Sequence, residues 1–148
     1  MTIEIKKLGI KDVVLFSQMV KLFEEVFEMK NFKLPPSQHL QNTLQKENFM
    51  AFVALFEQEI VGGMTVYILD QYYSDKRLAY IFDLAVLAKH QRKGIGTQMI
   101  NFIKSYYKER DFEEIFVQAD TIDAYALRFY RSTGISEEED VRHFYYTL

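Results

Sequence analysis

No cysteine occurs among the 148 residues. That excludes disulfides, a cysteine nucleophile and thiolate metal sites, and leaves the redox compartment open. Histidine is scarce: His39, His90 and His143 are scattered, with no metal-ligand spacing, so no metal is expected. No apolar run approaches the roughly 20 residues that a membrane helix needs, so no membrane partner is expected. The opening M-T-I-E-I-K-K-L-G lacks the apolar core of a signal peptide, from which a cytoplasmic protein is expected. The net charge of -3 provides no excess of cations for nucleic acid. Repeats, low-complexity tracts and linkers are also missing, so residues 1–148 are expected to form a single domain.

What is present has the composition of a folded protein, 49% hydrophobic and 26% charged. The charge is unevenly placed. Between Glu109 and Asp140 there are ten acids and three arginines, whereas Lys89, Arg92 and Lys93 cluster at one turn. One region therefore suits a cationic ligand and another an anionic one, although an acidic run such as E-E-E-D is equally a solvated surface.

Thr2 to Leu8 alternates weakly, as in a strand. Val13, Phe16, Val20, Phe23 and Phe27 recur at helical steps, predicting an amphipathic helix over 13–27. Pro35 and Pro36 end a loop, and Ser37 is placed to cap a second helix to about Lys46. Phe49–Phe56 and Ile60–Leu69 read as a hairpin, the second strand interrupted by Gly62 and Gly63; Ala79–Leu87 reads as a third long strand. A helix follows to about Arg110, with Ile95, Met99, Phe102, Ile103 and Tyr106 on its inner face. Then come a strand over Ile115–Ala119, a short helix over Asp123–Ser132 with Gly134 beyond its end, and a last strand over Arg142–Thr147. The order β-α-α-β-β-β-α-β-α-β predicts an α/β (α+β) fold, with a mixed, mostly antiparallel sheet and helices on both faces.

The turn H-Q-R-K-G-I-G, His90 to Gly96, concentrates glycine and positive charge between a strand and a helix. A helix N-terminus leaves amides unpaired and carries partial positive charge, and glycine lets a ligand approach the backbone. An anion cradle, most plausibly for phosphate, is one reading; an ordinary polar turn is the other. The Walker pattern is absent, and Met99 replaces the third glycine of the dinucleotide fingerprint.

Gln91, Gly94 and Gly96 do satisfy [QR]-x-x-G-x-[GA]. Asp123, Ala126, Phe129, Tyr130 and Gly134 follow N-x-x-A-x-x-[LF]-Y-x-x-x-G, with Asp123 where asparagine is usual. The two motifs, in this order and separated by a helix and a strand, resemble the GNAT superfamily of N-acetyltransferases over nearly the whole chain. F-x-A-x-x-x-x-F-x-Q-E-x-V-G from Phe49, Y-I-x-D-L-A-V, Q-A-D, F-Y-x-x-x-G-I and H-F are similar to the aminoglycoside 3-N-acetyltransferases of that superfamily. The likeness thins before Phe49 and in Asp140–Leu148.

The resemblance implies a GNAT-like sheet of six to seven strands and acetyl-CoA as co-substrate. The pantetheine arm would pair with backbone of Leu84, Ala85 and Val86, beside a bulge that opens the sheet. The pyrophosphate would rest on Gln91, Arg92, Lys93, Gly94, Ile95, Gly96 and Thr97, chiefly on amides. Asp123 and Ala126 would complete the coenzyme contacts. Tyr130 would protonate the leaving thiolate as general acid; its bland reading is a core aromatic. Asp83 interrupts an apolar strand and either binds or deprotonates the incoming ammonium, or accepts local amides at the bulge. Asp120 is an acceptor contact or a turn cap, and Glu138 lies where it can rim the acceptor pocket. The implied acceptor is a small cationic amine, an aminoglycoside first, with a homodimer as the implied assembly. A polyamine, an amino acid or a protein N-terminus are alternative acceptors, and a non-catalytic acyl-CoA-binding module is a reading from another class.

Overall fold

The computed structural model describes residues 1–148. Its contacts gather into two compact units, Met1–Val117 and Gln118–Leu148. The first holds β1 (Glu4–Lys7), α1 (Val13–Val26), α2 (Ser37–Leu44), β2 (Phe49–Phe56), β3 (Glu59–Leu69), β4 (Leu78–Val86), a 3-10 turn (Ala88–His90), α3 (Ile95–Glu109) and β5 (Glu114–Val117). The strands lie in chain order in one sheet. All neighbours are antiparallel except β4 and β5, which are parallel.

Strand β2, F-M-A-F-V-A-L-F, is apolar at every position because both of its faces are covered. Phe49, Ala51, Val53 and Leu55 join the core built with Phe16, Met19, Leu22 and Phe23 of α1. Phe52, from the alternate set, meets the rings of Phe102, Tyr106 and Tyr107 of α3 at 5.6–6.4 Å. The two helices therefore occupy opposite faces. Gly62 and Gly63 in β3 make this possible. A Cβ on Gly63 would collide with Met19 Cγ and lie 2.8 Å from its sulfur; one on Gly62 would stand 3.3 Å from the sulfur of Met99. Neighbouring strand positions point to opposite faces, so each glycine admits one helix, and β3 runs unbroken through both.

The second unit holds α4 (Ala124–Arg131) and the chain to Leu148. The structure has five strands, not six to seven. The expected strand over Arg142–Thr147 does not form; every residue from Asp140 to Leu148 is exposed, and extended backbone without a hydrogen-bonded neighbour is not a strand. Two smaller expectations also change. Pro36, not Ser37, is the N-cap of α2, and no side chain caps that end. In α3 the buried set is Ile95, Met99, Ile100, Ile103 and Tyr107, so Tyr107 rather than Tyr106 is the aromatic that points fully inward.

The β2–β3 hairpin turns on Glu57 (φ +50°) and Gln58 (φ +70°), a two-residue connection with both positions left-handed. Such backbone costs a non-glycine residue roughly 1–2 kcal/mol. Gln58→Gly is therefore expected to raise the melting temperature by about 2–4 °C. Gly63→Ala, which overpacks the core at Met19, is expected to lower stability by about 1–3 kcal/mol in urea unfolding.

Candidate active site

Strand β4 carries one residue more than its partner. Thr65 stands opposite Asp83, but Val66 stands opposite Ile81, which leaves Phe82 as the extra residue of a bulge. On the other edge of β4 the parallel ladder with β5 runs from Leu78↔Glu114 to Ile81↔Val117 and stops. The two irregularities coincide. The bulge ends the pairing with β5, and from Phe82 to Val86 that edge of β4 has no neighbouring strand. Where the bulge spoils the ladder with β3, the amide of Asp83 donates to the Thr65 hydroxyl at 3.2 Å. An open strand edge inside a sheet is the geometry that takes an extended, amide-bearing ligand. Leu84, Ala85 and Val86 lie on it.

The edge leads directly into the glycine-rich turn. Gln91 Nε2 donates to the Val86 carbonyl at 2.9 Å and ties the turn to the strand end. Arg92 (φ +61°) and Gly94 (φ +81°) are left-handed on either side of Lys93, which gives the alternation of an anion-binding nest. Gly94 is the N-cap of α3, and no side chain caps the helix. The first intrahelical amide is that of Gln98, bonded to the Gly94 carbonyl at 3.0 Å. The amides of Ile95, Gly96 and Thr97 precede it and have no acceptor in the helix. Space beside Gly94 is open, with nothing within 4 Å of where a Cβ would be. Unpaired amides, helix dipole and the cations Lys89, Arg92 and Lys93 suit this turn to an anion. Beneath it, His90 packs on Phe56 with ring centroids 6.0 Å apart, and its Nδ1 is buried without a partner.

Asp83 is half-buried and its carboxylate makes no hydrogen bond. Desolvation alone raises its pKa above the ordinary carboxylate value. Of the two readings of this residue, the capping one finds no amide on the carboxylate, because Thr65 serves the bulge instead. A carboxylate in these surroundings can act chemically as a base or as a partner for an ammonium. Nothing in the sequence singled out Thr65 or Phe82, since a bulge leaves no periodic signal of its own.

In the second unit, Asp123 caps α4: its Oδ1 accepts from the Ala126 amide at 3.0 Å. Tyr130 lies on α4 edge-on to Phe129, with ring centroids 5.0 Å apart. Glu138 is held by Arg131 in a two-pronged pair, Oε1 to Nε at 2.9 Å and Oε2 to Nη2 at 3.0 Å. That contact pulls the pKa of Glu138 below its ordinary value. The expected strand over Ile115–Ala119 would put Asp120 directly at its C-terminal end. The strand ends earlier, at Val117, where its partner β4 bulges away, and Asp120 lies in the exposed turn before α4, its carbonyl accepting from the Asp123 amide at 2.9 Å. No group of three or more metal-binding side chains occurs in the structure. A depression of about 390 Å³ beside Lys46, Glu47, Asp70 and Arg77 lies at the opposite end of β3 from the anion loop, with balanced charge.

The family model described as the acetyltransferase (GNAT) family matches residues 16–135. Among solved structures, an aminoglycoside acetyltransferase from an uncultured soil metagenomic sample, in complex with trehalose, is 56% identical over 99% of this chain and 96% of its own, with a TM-score of 0.97. A structure of the same description in complex with sisomicin is 55% identical. A further aminoglycoside acetyltransferase from an uncultured soil metagenomic sample is 32% identical over 100% of this chain and 99% of its own, with a TM-score of 0.93. Among curated proteins, Xenopus laevis N-alpha-acetyltransferase 30 is 30% identical over 96 residues, 65% of this chain and 35% of that protein. The chain thus spans about a third of the length of that curated relative.

A raised carboxylate pKa means that the folded state holds the Asp83 proton more tightly than the unfolded state. Stability is then greatest below the unfolded value of 3.8 and falls as pH rises through the folded pKa. Asp83→Asn is expected to raise the melting temperature at pH 7, with the gain vanishing below about pH 3.8. Thermal unfolding of both proteins across this pH range checks the sign.

Proposed function

This chain belongs to the acetyltransferase (GNAT) family, and on that premise we propose that it transfers the acetyl group of acetyl-CoA to a primary amine of an aminoglycoside, at the 3-N position. The observation that carries the reading is the bulge at Phe82, which frees the edge of β4 and leads it into the anion loop before α3. The pantetheine arm lies along Leu84, Ala85 and Val86 as an added strand. The pyrophosphate rests on the amides from Arg92 to Thr97, with the side chains of Arg92 and Lys93 adding attraction and Gln91 holding the loop in shape.

Asp83 takes the proton that an ammonium must lose before its nitrogen can attack. The amine nitrogen then bonds to the thioester carbonyl carbon, the C–S bond breaks as the tetrahedral species collapses, Tyr130 protonates the departing thiolate, and the second proton leaves the nitrogen to solvent, from which Tyr130 is reprotonated. The products are free coenzyme A and an amide. By the family resemblance Asp120 belongs to the acceptor side and Asp123 with Ala126 to the coenzyme side, whereas Glu138, paired with Arg131, adds no net negative charge. Support for an aminoglycoside acceptor comes from the relatives at 55–56% identity over nearly the full chain. A protein N-terminus is the second reading, favoured by the 30% identity to an N-alpha-acetyltransferase over 96 residues. Drug resistance in the host would follow from the first reading and not from the second.

Thiol release from acetyl-CoA against sisomicin, spermidine and short peptides tests the acceptor: turnover is expected with sisomicin, and turnover with peptides alone would transfer the assignment to the second reading. Tyr130→Phe is expected to lower kcat by about 10²-fold or more with coenzyme affinity unchanged. Gly94→Ala is expected to raise KM for acetyl-CoA about tenfold with kcat nearly kept, the loss of roughly one charge-assisted hydrogen bond.

A further inference from the structure

One face of the sheet carries a continuous row of rings: Phe49, Tyr67, Phe82, Tyr80 and Phe116. Successive centroids lie 5.2, 5.5, 5.9 and 4.7 Å apart. The row starts inside the protein, where Phe49 packs on Phe16 of α1 at 5.7 Å and is 6% exposed. It emerges across the sheet: Tyr67 is 36% exposed and Phe82 56%. α1 and α2 therefore cover the row only at its first strand. A phenylalanine left this open in the middle of an aromatic row is an uncovered apolar surface.

The position of this surface identifies what it meets. Phe82 is the bulge residue itself. Asp83 follows it and stands opposite Thr65, two residues from Tyr67 on β3, so the carboxylate shares the face that bears the rings. An apolar platform beside an unpaired carboxylate complements a ligand that has both a ring face of C–H bonds and an ammonium group. The geometry points to the row Tyr67–Phe82–Tyr80 as the shelf on which the acceptor's aminosugar ring lies, with Phe82 as the specificity-determining residue that sets the ring's height above Asp83. The inference rests on the aminoglycoside reading and deepens it. A linear polyamine satisfies the carboxylate but presents no ring face to the shelf. The bulge thereby has two uses: it frees the strand edge for the coenzyme and it lifts one aromatic side chain out of the sheet for the acceptor.

The test is equilibrium binding of sisomicin to the full chain in the presence of coenzyme A, with Phe82→Ala, Phe82→Leu and Phe82→Trp beside the wild type. Because Phe82 is exposed, these variants keep the core, and coenzyme A affinity measured alone checks the fold of each. Expected are a sisomicin Kd about tenfold higher for Phe82→Ala and Phe82→Leu, restoration by Phe82→Trp, and coenzyme A affinity within twofold throughout. Unchanged sisomicin affinity in all three variants would overturn the shelf and leave the aminoglycoside reading standing. A coenzyme A affinity that weakens in parallel would also overturn it, assigning the row to the coenzyme. A wild-type protein that neither binds nor acetylates sisomicin would remove both inferences together.

Discussion

Much of what this chain can do depends on one supernumerary residue in β4. In a regular sheet, the strand after Ile81 would continue to pair with β5, and every backbone group along it would be satisfied by the protein. With Phe82 inserted, the ladder with β5 ends at Ile81, the amide of Asp83 has to find the Thr65 hydroxyl, and the outer edge of the strand is left without a neighbouring strand. Bulges cost regular pairing, and this one is held by its surroundings. The long β2–β3–β4 meander supports it on one side. The tie from Gln91 to the Val86 carbonyl fixes the strand end on the other.

That support depends in turn on close packing across both faces. The adjacent glycines of β3 let α1 and α3 approach from opposite sides, so the strand beside the bulge sits between two layers of side chains. Such a core is close-packed, and it holds the start of α3 against the sheet. The anion loop is consequently a fixed feature, set by strand end, 3-10 turn and helix N-terminus. Function is then divided by charge: unpaired amides and cations gather at the loop, while a half-buried carboxylate without a hydrogen bond stands a few residues earlier on the strand. On the proposed reading, a phosphate-bearing co-substrate and an ammonium-bearing acceptor are drawn to different ends of the same short segment.

The regular elements could be read from the sequence because their signals are local. Helical spacing from Val13, the apolar run from Phe49 and the glycine turn before Ile95 each follow from side chains a few positions apart. The glycine- and cation-rich turn was legible the same way as a candidate anion site, and the cap that Asp123 gives α4 is a local signal too. The misses are non-local. Arg142–Thr147 alternates enough to look like a strand, yet strands are made by neighbours, and none pairs with it here. The short β5 was extended to Ala119 because nothing in its own residues records that β4 bulges beside Val117. The aromatic row was invisible for the same reason: its members come from four strands, and only the register brings their rings together.

The most direct test of the account is amide hydrogen exchange with and without coenzyme A. If the freed edge and the loop are one binding surface, adding coenzyme A slows exchange in 84–86 and in 92–97 together, and leaves β1 and β2 unchanged. Protection confined to other segments, or protection of the loop with the strand edge unaffected, would contradict the claim that the bulge at Phe82 exists to open that edge to the coenzyme.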